Sequence, residues 1–463
     1  MDYLSLFKEK NVAEGDSYSH NDIGIAKLFY DLHSAAICYV IEAKTWYVYT
    51  GKRWIKDDGG LLVMEKCKDF AQALATYAKI ADDGSDEGKA FMKFASGFHS
   101  RRKREGLLSD ARSTAPKTLA HFDRDRTLFN CQNGTFSLAD MALRPHDAED
   151  LITKISRVKY NADASCERWG RFISEVMNGD ADTAQFLQKA FGYCLSGETA
   201  LECFFILYGS TTRNGKTTLT ETVAYILNEY ARTIQPQTLS RRPNDGASAS
   251  PDIARLKGAR LVNMPEPEKG LELNIALVKQ LTGGDTYTGR FLHENPVEFA
   301  PEFKIFVNTN HLPCASDDTV FASGRVKLIP FDRHFTPEEQ DTGLKKLFRK
   351  HDNMSGIFNW LVEGYRLLQA DGLAVPPKVA QAIANYRVET DIIGDFINET
   401  LIESDEGSRL KTSELYKRYQ SWAKSNGFKA VNNHDFMAEL RKRYEVLRDR
   451  EKGNVIPAIK IKM

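Results

Sequence analysis

The stretch Tyr208-Gly-Ser-Thr-Thr-Arg-Asn-Gly-Lys-Thr-Thr218 limits what this chain can fold into more than any other. An apolar run over 204–208 leads into Gly209, a small polar turn follows, and after Gly215-Lys216-Thr217 the residues LTETVAYIL carry helical spacing. Strand, glycine loop and helix in that order make a phosphate-binding loop. Successive N–H groups of the loop and of the helix N-terminus face phosphate oxygens. Gly215 lets the backbone approach closely. Lys216 adds a positive charge, and the Thr217 hydroxyl is a ligand for Mg²⁺. The candidate nucleotide contacts are Gly209, Ser210, Thr211, Thr212, Arg213, Asn214, Gly215, Lys216, Thr217 and Thr218, with ATP and Mg²⁺ as the cofactors. The usual loop has four residues between its first glycine and the Gly-Lys pair. Here Ser210 stands at the first-glycine position and Gly209 lies one residue further back, so the loop is one residue longer. A chance Asn-Gly turn is the plain alternative, and both flanks argue against it.

Hydrolysis needs a carboxylate at the end of a neighbouring buried strand. LKGARLVNMPEPEKG supplies the apolar run 261–264 followed by Glu266 and Glu268, with Pro265 and Pro267 ending the strand. Glu266 is the favoured base and metal partner, and Glu268 assists; alone, this would read as a solvated acidic turn. KIFVNTNHLP then brings a buried strand to Thr309-Asn310, where a neutral amide can hold the attacking water or sense the γ-phosphate. SGRVKLIPF puts Arg325 at the start of another strand, where it serves either a surface ion pair or, supplied to a neighbour, the charge developing on the γ-phosphate. Strand-like and helical segments alternate from 203 to 330, which is an α/β pattern.

The 463 residues predict about three domains at roughly 100–200 residues each. No apolar stretch is long enough to span a bilayer and the first residues carry no signal-peptide pattern, so a cytoplasmic protein without membrane contact is expected. None of the seven cysteines sits in a C-x-x-C pair, which argues against a zinc ribbon or a disulfide framework. Lys+Arg and Asp+Glu balance at 63 each, yet residues 411–463 hold 13 Lys and Arg against 6 Asp and Glu. Upstream, 21–34 reads as an amphipathic helix and 38–58 as a β-hairpin turning near Thr50-Gly51. Helices follow to about 105, ending in Arg101–Arg104, a run more in keeping with a solvated helix end than with a DNA contact. Short strands surround Asn133-Gly134, two helices fill 169–197 with Asp180 or Asp182 as cap, and 337–388 is helical.

In this order, RNGKTT, RLVNMPEPEKG, LVKQLTGGDTYTGR, FVNTNHLP and GRVKLIPF resemble the superfamily 3 helicase domain of the phage/plasmid primase-helicase family, related to poxvirus helicase-primases. FDRDRTLFNCQNGTFSL and VKYNADASCERWGRFISEV resemble its pre-helicase domain, and the likeness spans roughly 20–440. The resemblance implies an AAA+-like P-loop NTPase core (166–390) after an α+β pre-helicase domain (1–165), with a winged-helix domain at 391–463. It implies a ring, hexameric in the family, that hydrolyses ATP between subunits and moves 3′ to 5′ on one strand of forked DNA. Glu266 would be the Walker B carboxylate, Asn310 the sensor, and Arg325, or Lys327, the finger supplied in trans. The segment 286–299 would be a hairpin in the pore, with Arg290 and His293, supported by Lys279, on the DNA phosphates. Larger relatives carry a primase domain; the acidic pairs Asp57-Asp58 and Asp82-Asp83 suit that chemistry poorly, so no primase activity is expected, and a separate primase or polymerase is a candidate partner.

The tail itself reads as two helices and a hairpin. The first helix starts at a Thr412 or Ser413 cap and ends at Gly427; the second carries Phe436, Leu440 and Tyr444 on one face at four-residue spacing; the hairpin turns at 452–454. Arg441, Lys442 and Arg443 at the second helix's end are the candidate duplex contacts, with a solvated basic face or subunit contact as the plain alternative. Two rival functions remain at this level: an ATP-controlled origin-binding initiator that does not unwind processively, and a monomeric P-loop kinase.

Overall fold

A computed structural model describes residues 1–240, 251–290, 296–314, 319–405, 408–426, 428, 430–449 and 453–462. The chain forms two units, one of Met1–Pro313 with Gly324–Val379 and one of Cys314–Ser323 with Ala380–Met463.

The first unit opens with helices Tyr3–Glu9, Asp22–His33, Leu61–Ala81, Asp86–Ser96 and Arg101–Ala111 around a core that includes Phe7, Phe29, Phe70, Leu74 and Phe98. Between them β1 (Ile37–Val40), β2 (Thr45–Tyr49) and β3 (Trp54–Lys56) form an antiparallel meander. The expected hairpin therefore has a third strand, because Lys44, at φ +49°, turns the chain back and donates its N–H to the Ile41 carbonyl at 3.2 Å. Trp46 and Val48 are buried while Tyr47 and Tyr49 are half-buried, the alternation that their spacing predicts. Arg101–Arg104 opens a helix rather than ending one. Arg104 donates to the carbonyls of Phe98 and His99, which terminate the preceding turn, and Arg101 pairs with Glu105 at 2.7 Å. These arginines satisfy local backbone and charge, which outweighs the unfavourable helix-dipole position.

A second meander, β4 (Leu128–Cys131), β5 (Gly134–Ser137) and β6 (Ala142–Arg144), turns at Gln132-Asn133. Arg260, only 4% exposed, ties β4 to the core that follows, donating to Leu128 O at 2.7 Å and to Leu195 O. Helices Glu167–Val176 and Ala181–Gly192 come next, and Asp180 is the cap, accepting from the Thr183 N–H at 3.0 Å.

The central sheet uses β7 (Phe204–Tyr208), β8 (Ala231–Thr233), β9 (Leu261–Met264), β12 (Lys304–Thr309) and β13 (Val326–Pro330). The hairpin β10 (Tyr287–Arg290) with β11 (Pro296–Phe299) is inserted before β12. All five central strands are parallel, in the order β13-β7-β12-β9-β8. Phe205 and Phe306 stack at 4.7 Å and Phe191 stacks on Phe306 at 4.3 Å, closing one face of the sheet. Such pairs add about 0.5–1.5 kcal/mol to the burial of each ring. The chain leaves β7 for the far edge strand β8 and returns inward, so the order reverses between β7 and β12. A parallel sheet opens its ligand crevice at that point, beyond the carboxyl ends of the strands.

The second unit has helices Ile392–Thr400, Thr412–Ser425 and Asn433–Arg443 and the short strands β14 (Leu401–Glu403), β15 (Arg409–Lys411), β16 (Leu447–Asp449), β17 (Gly453–Pro457) and β18 (Ile459–Ile461). Phe396, Leu415, Tyr419, Phe436 and Leu440 share its core, and Tyr444 packs against it. The expected two-stranded hairpin is larger: β17 lies between β15 and β16, and β18 pairs with β14. The first helix is capped by neither predicted side chain. Its N-cap is Lys411, while the Thr412 hydroxyl donates to Asn454 O at 3.2 Å and so serves the tertiary contact. Gly427 and Lys452 lie outside the described residues, while Gly453 and Asn454, expected in the hairpin turn, open β17 opposite Asp449 and Arg448. Among the described residues no helix is long and apolar enough to cross a membrane, the cysteines are all unbridged, and no cluster of His, Cys, Asp and Glu forms a metal site.

Candidate functional site

β7 ends at Tyr208 and the helix Lys216–Leu227 begins after Gly215, so residues 209–215 form the turn between a sheet edge and a helix N-terminus. Two glycines are indispensable there. Gly215 sits at φ +86°, where an added Cβ would also collide with Val176 Cγ1. At Gly209 a Cβ would collide with the Asn214 side chain and lie 2.7 Å from Phe331 O and 3.0 Å from Lys216 Nζ. Gly209 is thus buried against the loop's own contents, whereas Ser210 is exposed. The additional loop residue is accommodated by Arg213 in the left-handed region at φ +57°. Asn214 is buried and donates to Thr211 O at 2.6 Å, while Thr211, Thr212, Arg213 and Thr217 are exposed and Thr218 is half-buried.

Lys216 is 5% exposed, and its Nζ donates to Asn310 Oδ1 at 2.7 Å and to Gly209 O at 3.5 Å. Asn310 in turn donates its side-chain amide to Glu266 Oε2 at 3.0 Å and its backbone N–H to Glu266 Oε1 at 3.2 Å. Lys216 at the helix N-terminus and two residues beyond the ends of β9 and β12, separated by 44 and 94 positions, therefore form one chain of hydrogen bonds at the sheet's carboxyl edge. The turn after β12 is held by Thr309, whose hydroxyl bonds His311 O and accepts from the His311 N–H at 3.0 Å. Burial pushes the Lys216 ammonium down to about 8, and the nearby Glu266 opposes the shift. Glu268 is exposed two residues beyond Glu266, and its backbone carbonyl accepts from Leu271 N–H at 3.2 Å.

One neighbour of the loop carries no signal in the sequence. After β13 the chain turns along the loop: Phe331 N–H donates to Tyr208 O at 2.6 Å, Phe335 N–H to Arg213 O at 3.0 Å, and His334 Nδ1 bonds Thr212 O at 2.8 Å. The partners are more than 120 residues apart, so no local pattern announces them.

Arg325 lies at the opposite end of the sheet. Its carbonyl accepts from Phe204 N–H at 2.9 Å, at the entry of β7. Its guanidinium is held inside the fold by Glu202 Oε2 at 2.5 Å and Thr282 Oγ1 at 3.0 Å. Lys327 is half-buried within β13. Lys279 is half-buried on the helix Ile275–Thr282, which leads into the β10–β11 hairpin. The hairpin forms as expected, with Arg290 opposite Pro296, while His293 lies outside the described residues. In the second unit Arg441, Lys442 and Arg443 are exposed at the end of their helix. Arg443 Nη2 contacts both Asp391 oxygens at 2.7 and 2.8 Å, and Lys442 pairs with Glu439 at 2.6 Å.

Two family models match the chain: D5 N terminal like, over residues 26–178, and poxvirus D5 protein-like, over residues 389–454. In sequence, the first precedes the strands of the central sheet and the second follows them. The chain is 27% identical over 451 residues to a protein of Acanthamoeba polyphaga mimivirus named as a candidate helicase, L207/L206, covering 90% of this chain and 47% of that protein. It is 26% identical over 344 residues to a similarly named protein, 022R, of Frog virus 3, covering 71% and 32%. The chain thus spans about half or less of the length of these relatives. Among solved structures, the apo C-terminal region of NrS-1 superposes with a TM-score of 0.50 at 11% identity, over 93% of this chain and 98% of that one, a likeness of fold alone.

Proposed function

We propose that this chain, a relative of the D5-type helicase-primase proteins, is an ATP-hydrolysing nucleic-acid motor that moves along one strand of forked DNA. The observation that carries the reading is the Lys216–Asn310–Glu266 chain at the mouth of the parallel sheet. Lys216 and the loop amides would hold the β- and γ-phosphates. Glu266 would take the proton of the attacking water, and Asn310, bonded to both charged groups, would orient that water and register the γ-phosphate. Thr217 and Glu266 offer the hard hydroxyl and carboxylate oxygens that Mg²⁺ prefers. Bound there, Mg²⁺ would supply neutralisation of charge on the nucleotide's phosphates.

Arg325 is separated from its own loop by the length of β7, about 17 Å for five residues at roughly 3.3 Å each. That separation supports an AAA+-like ring, a hexamer by resemblance, in which Arg325 serves a neighbour's nucleotide after leaving Glu202. The β10–β11 hairpin, with Arg290, His293 and the Lys279 helix behind it, would grip phosphates of the translocated strand. The second unit, read as a winged helix, would contact duplex through Arg441 and its neighbours. A separate primase or polymerase remains the proposed partner.

The test is the steady-state release of phosphate with and without single-stranded DNA, for wild type and Lys216→Ala. Stimulation by DNA, lost in the variant along with at least about 10²-fold of turnover, is the expected result. Hydrolysis indifferent to DNA would overturn the motor in favour of a kinase-like nucleotide enzyme.

A further inference from the structure

We propose that the first unit carries a second nucleic-acid contact, outside the hairpin and the second unit: a phosphate-backbone surface built on Tyr225 by Arg157, Arg349 and the lysines beside them. The sequence KKLFRKH over 345–351 holds four Lys and Arg and no acid. The short helix Leu344–Phe348 explains how it is displayed. Leu344 and Phe348, four residues apart, are buried, and Phe348 packs edge-on against Trp169 at 5.0 Å. Lys346, Arg349 and Lys350 are exposed as a consequence. The extended segment 156–159 adds a second row: Ser156 and Val158 are fully buried, while Arg157 and Lys159 point outward.

The two rows meet at Tyr225, near the end of the helix Lys216–Leu227 remote from the phosphate loop. The Arg157 guanidinium carbon lies 4.1 Å, and that of Arg349 4.4 Å, from the centroid of this one ring. Two like charges on one ring repel, and among the described residues neither is ion-paired with a carboxylate. Arg157 donates one N–H to Tyr225 O at 3.2 Å, so the helix end accounts for part of its position. Arg349 makes no such bond among the described residues, and Lys345 is the member neutralised, by Glu221 at 2.7 Å. Guanidiniums stacked on an aromatic ring are fixed in direction and keep their N–H edges for planar oxyanions. A row of cations of which Arg157 and Arg349 are paired with no acid among the described residues suits the repeating charge of a phosphodiester chain, held without regard to sequence.

The inference rests on the proposed function only for its partner. The experiment is fluorescence anisotropy of labelled oligothymidylate against salt concentration, on the full chain, for wild type, Lys346→Glu/Arg349→Glu and Arg349→Lys. Phosphate release without DNA and light scattering are recorded alongside. The expected result is binding weakened about ten-fold or more in the double variant, with the slope of log affinity on log salt reduced by about 1.4, two contacts at roughly 0.7 each for a single strand. Arg349→Lys should retain the slope, and basal hydrolysis and oligomeric state should be unchanged. Wild-type affinity and slope in the double variant would overturn the surface while leaving the motor intact. A changed oligomeric state with unchanged binding would overturn it in favour of a contact between copies. Failure of the wild type to bind DNA at all would overturn both this inference and the function it rests on.

Discussion

Within the candidate site, Lys216 is a residue whose chemistry folding alters. Its ordinary value of 10.5 falls to about 8 because the space between Gly209 and Asn310 strips water from the ammonium, and Glu266 offsets only part of that loss. A lysine depressed in the folded state is charged at a cost below about 8, and the cost fades as pH rises toward 10.5. Phosphate oxygens would restore the charge. ADP binding is therefore expected to take up a proton, and affinity to fall, as pH rises above about 8. Calorimetric titrations in buffers of different ionisation heat measure this directly; Lys216→Arg should lose the dependence, and a flat wild-type profile would refute it. At the opposite carboxylate, Glu266→Gln should lower kcat by about 10²–10⁴-fold with nucleotide affinity retained. Glu268→Gln should change kcat only a few-fold, since Glu268 is outside the hydrogen-bonded chain; an equal loss would move the base to Glu268.

At the scale of elements, local signals served where the stabilising contacts are local. The buried face of Phe436 and Leu440 and the alternation of Trp46 and Val48 follow from spacing alone, while the cap, open between Asp180 and Asp182 in the sequence, is Asp180. The misreadings arose where a distant partner decided. β8, three residues at a sheet edge, carries no apolar run, and only pairing with β9 makes it a strand. Arg101–Arg104 opens its helix because Arg104 finds the carbonyls of the preceding turn. Arg443, a candidate duplex contact, also has a distant partner. Asp391 caps the helix Ile392–Thr400 through the Gly394 N–H at 2.8 Å and binds Arg443 as well, so this arginine stabilises its own unit. Arg443→Ala is expected to cost about 0.5–1 kcal/mol in denaturant unfolding. Arg441→Ala should leave stability unchanged and weaken duplex binding; if it does not weaken binding, the helix end is not the duplex contact.

At the scale of the molecule, the central sheet separates the two proposed roles by its length. The loop and Glu266 lie at one edge, Arg325 at the other. In a ring the Lys216→Ala and Arg325→Ala chains should each be inactive, yet mixing them should restore part of the hydrolysis, because some interfaces would pair an intact loop with an intact arginine. Absence of recovery in mixed assemblies shown to exchange subunits would leave Arg325 a structural ion pair with Glu202 and shift the trans role to Lys327.

The strand–loop–helix around Gly215, the strands beside it and the apolar helix faces were determined by sequence alone, because each depends on residues a few positions apart whose backbone preferences and periodicity act locally. That Gly209 rather than Ser210 is the tight glycine, that Asn310 joins Lys216 to Glu266, that His334 bonds the loop, and that two arginines converge on Tyr225 were decided only by tertiary structure. Those contacts bring together residues 44 to 124 or more positions apart in the cases of Asn310, Lys216 and Arg349, and their energies depend on burial and on the direction of a side chain, which a linear pattern does not carry.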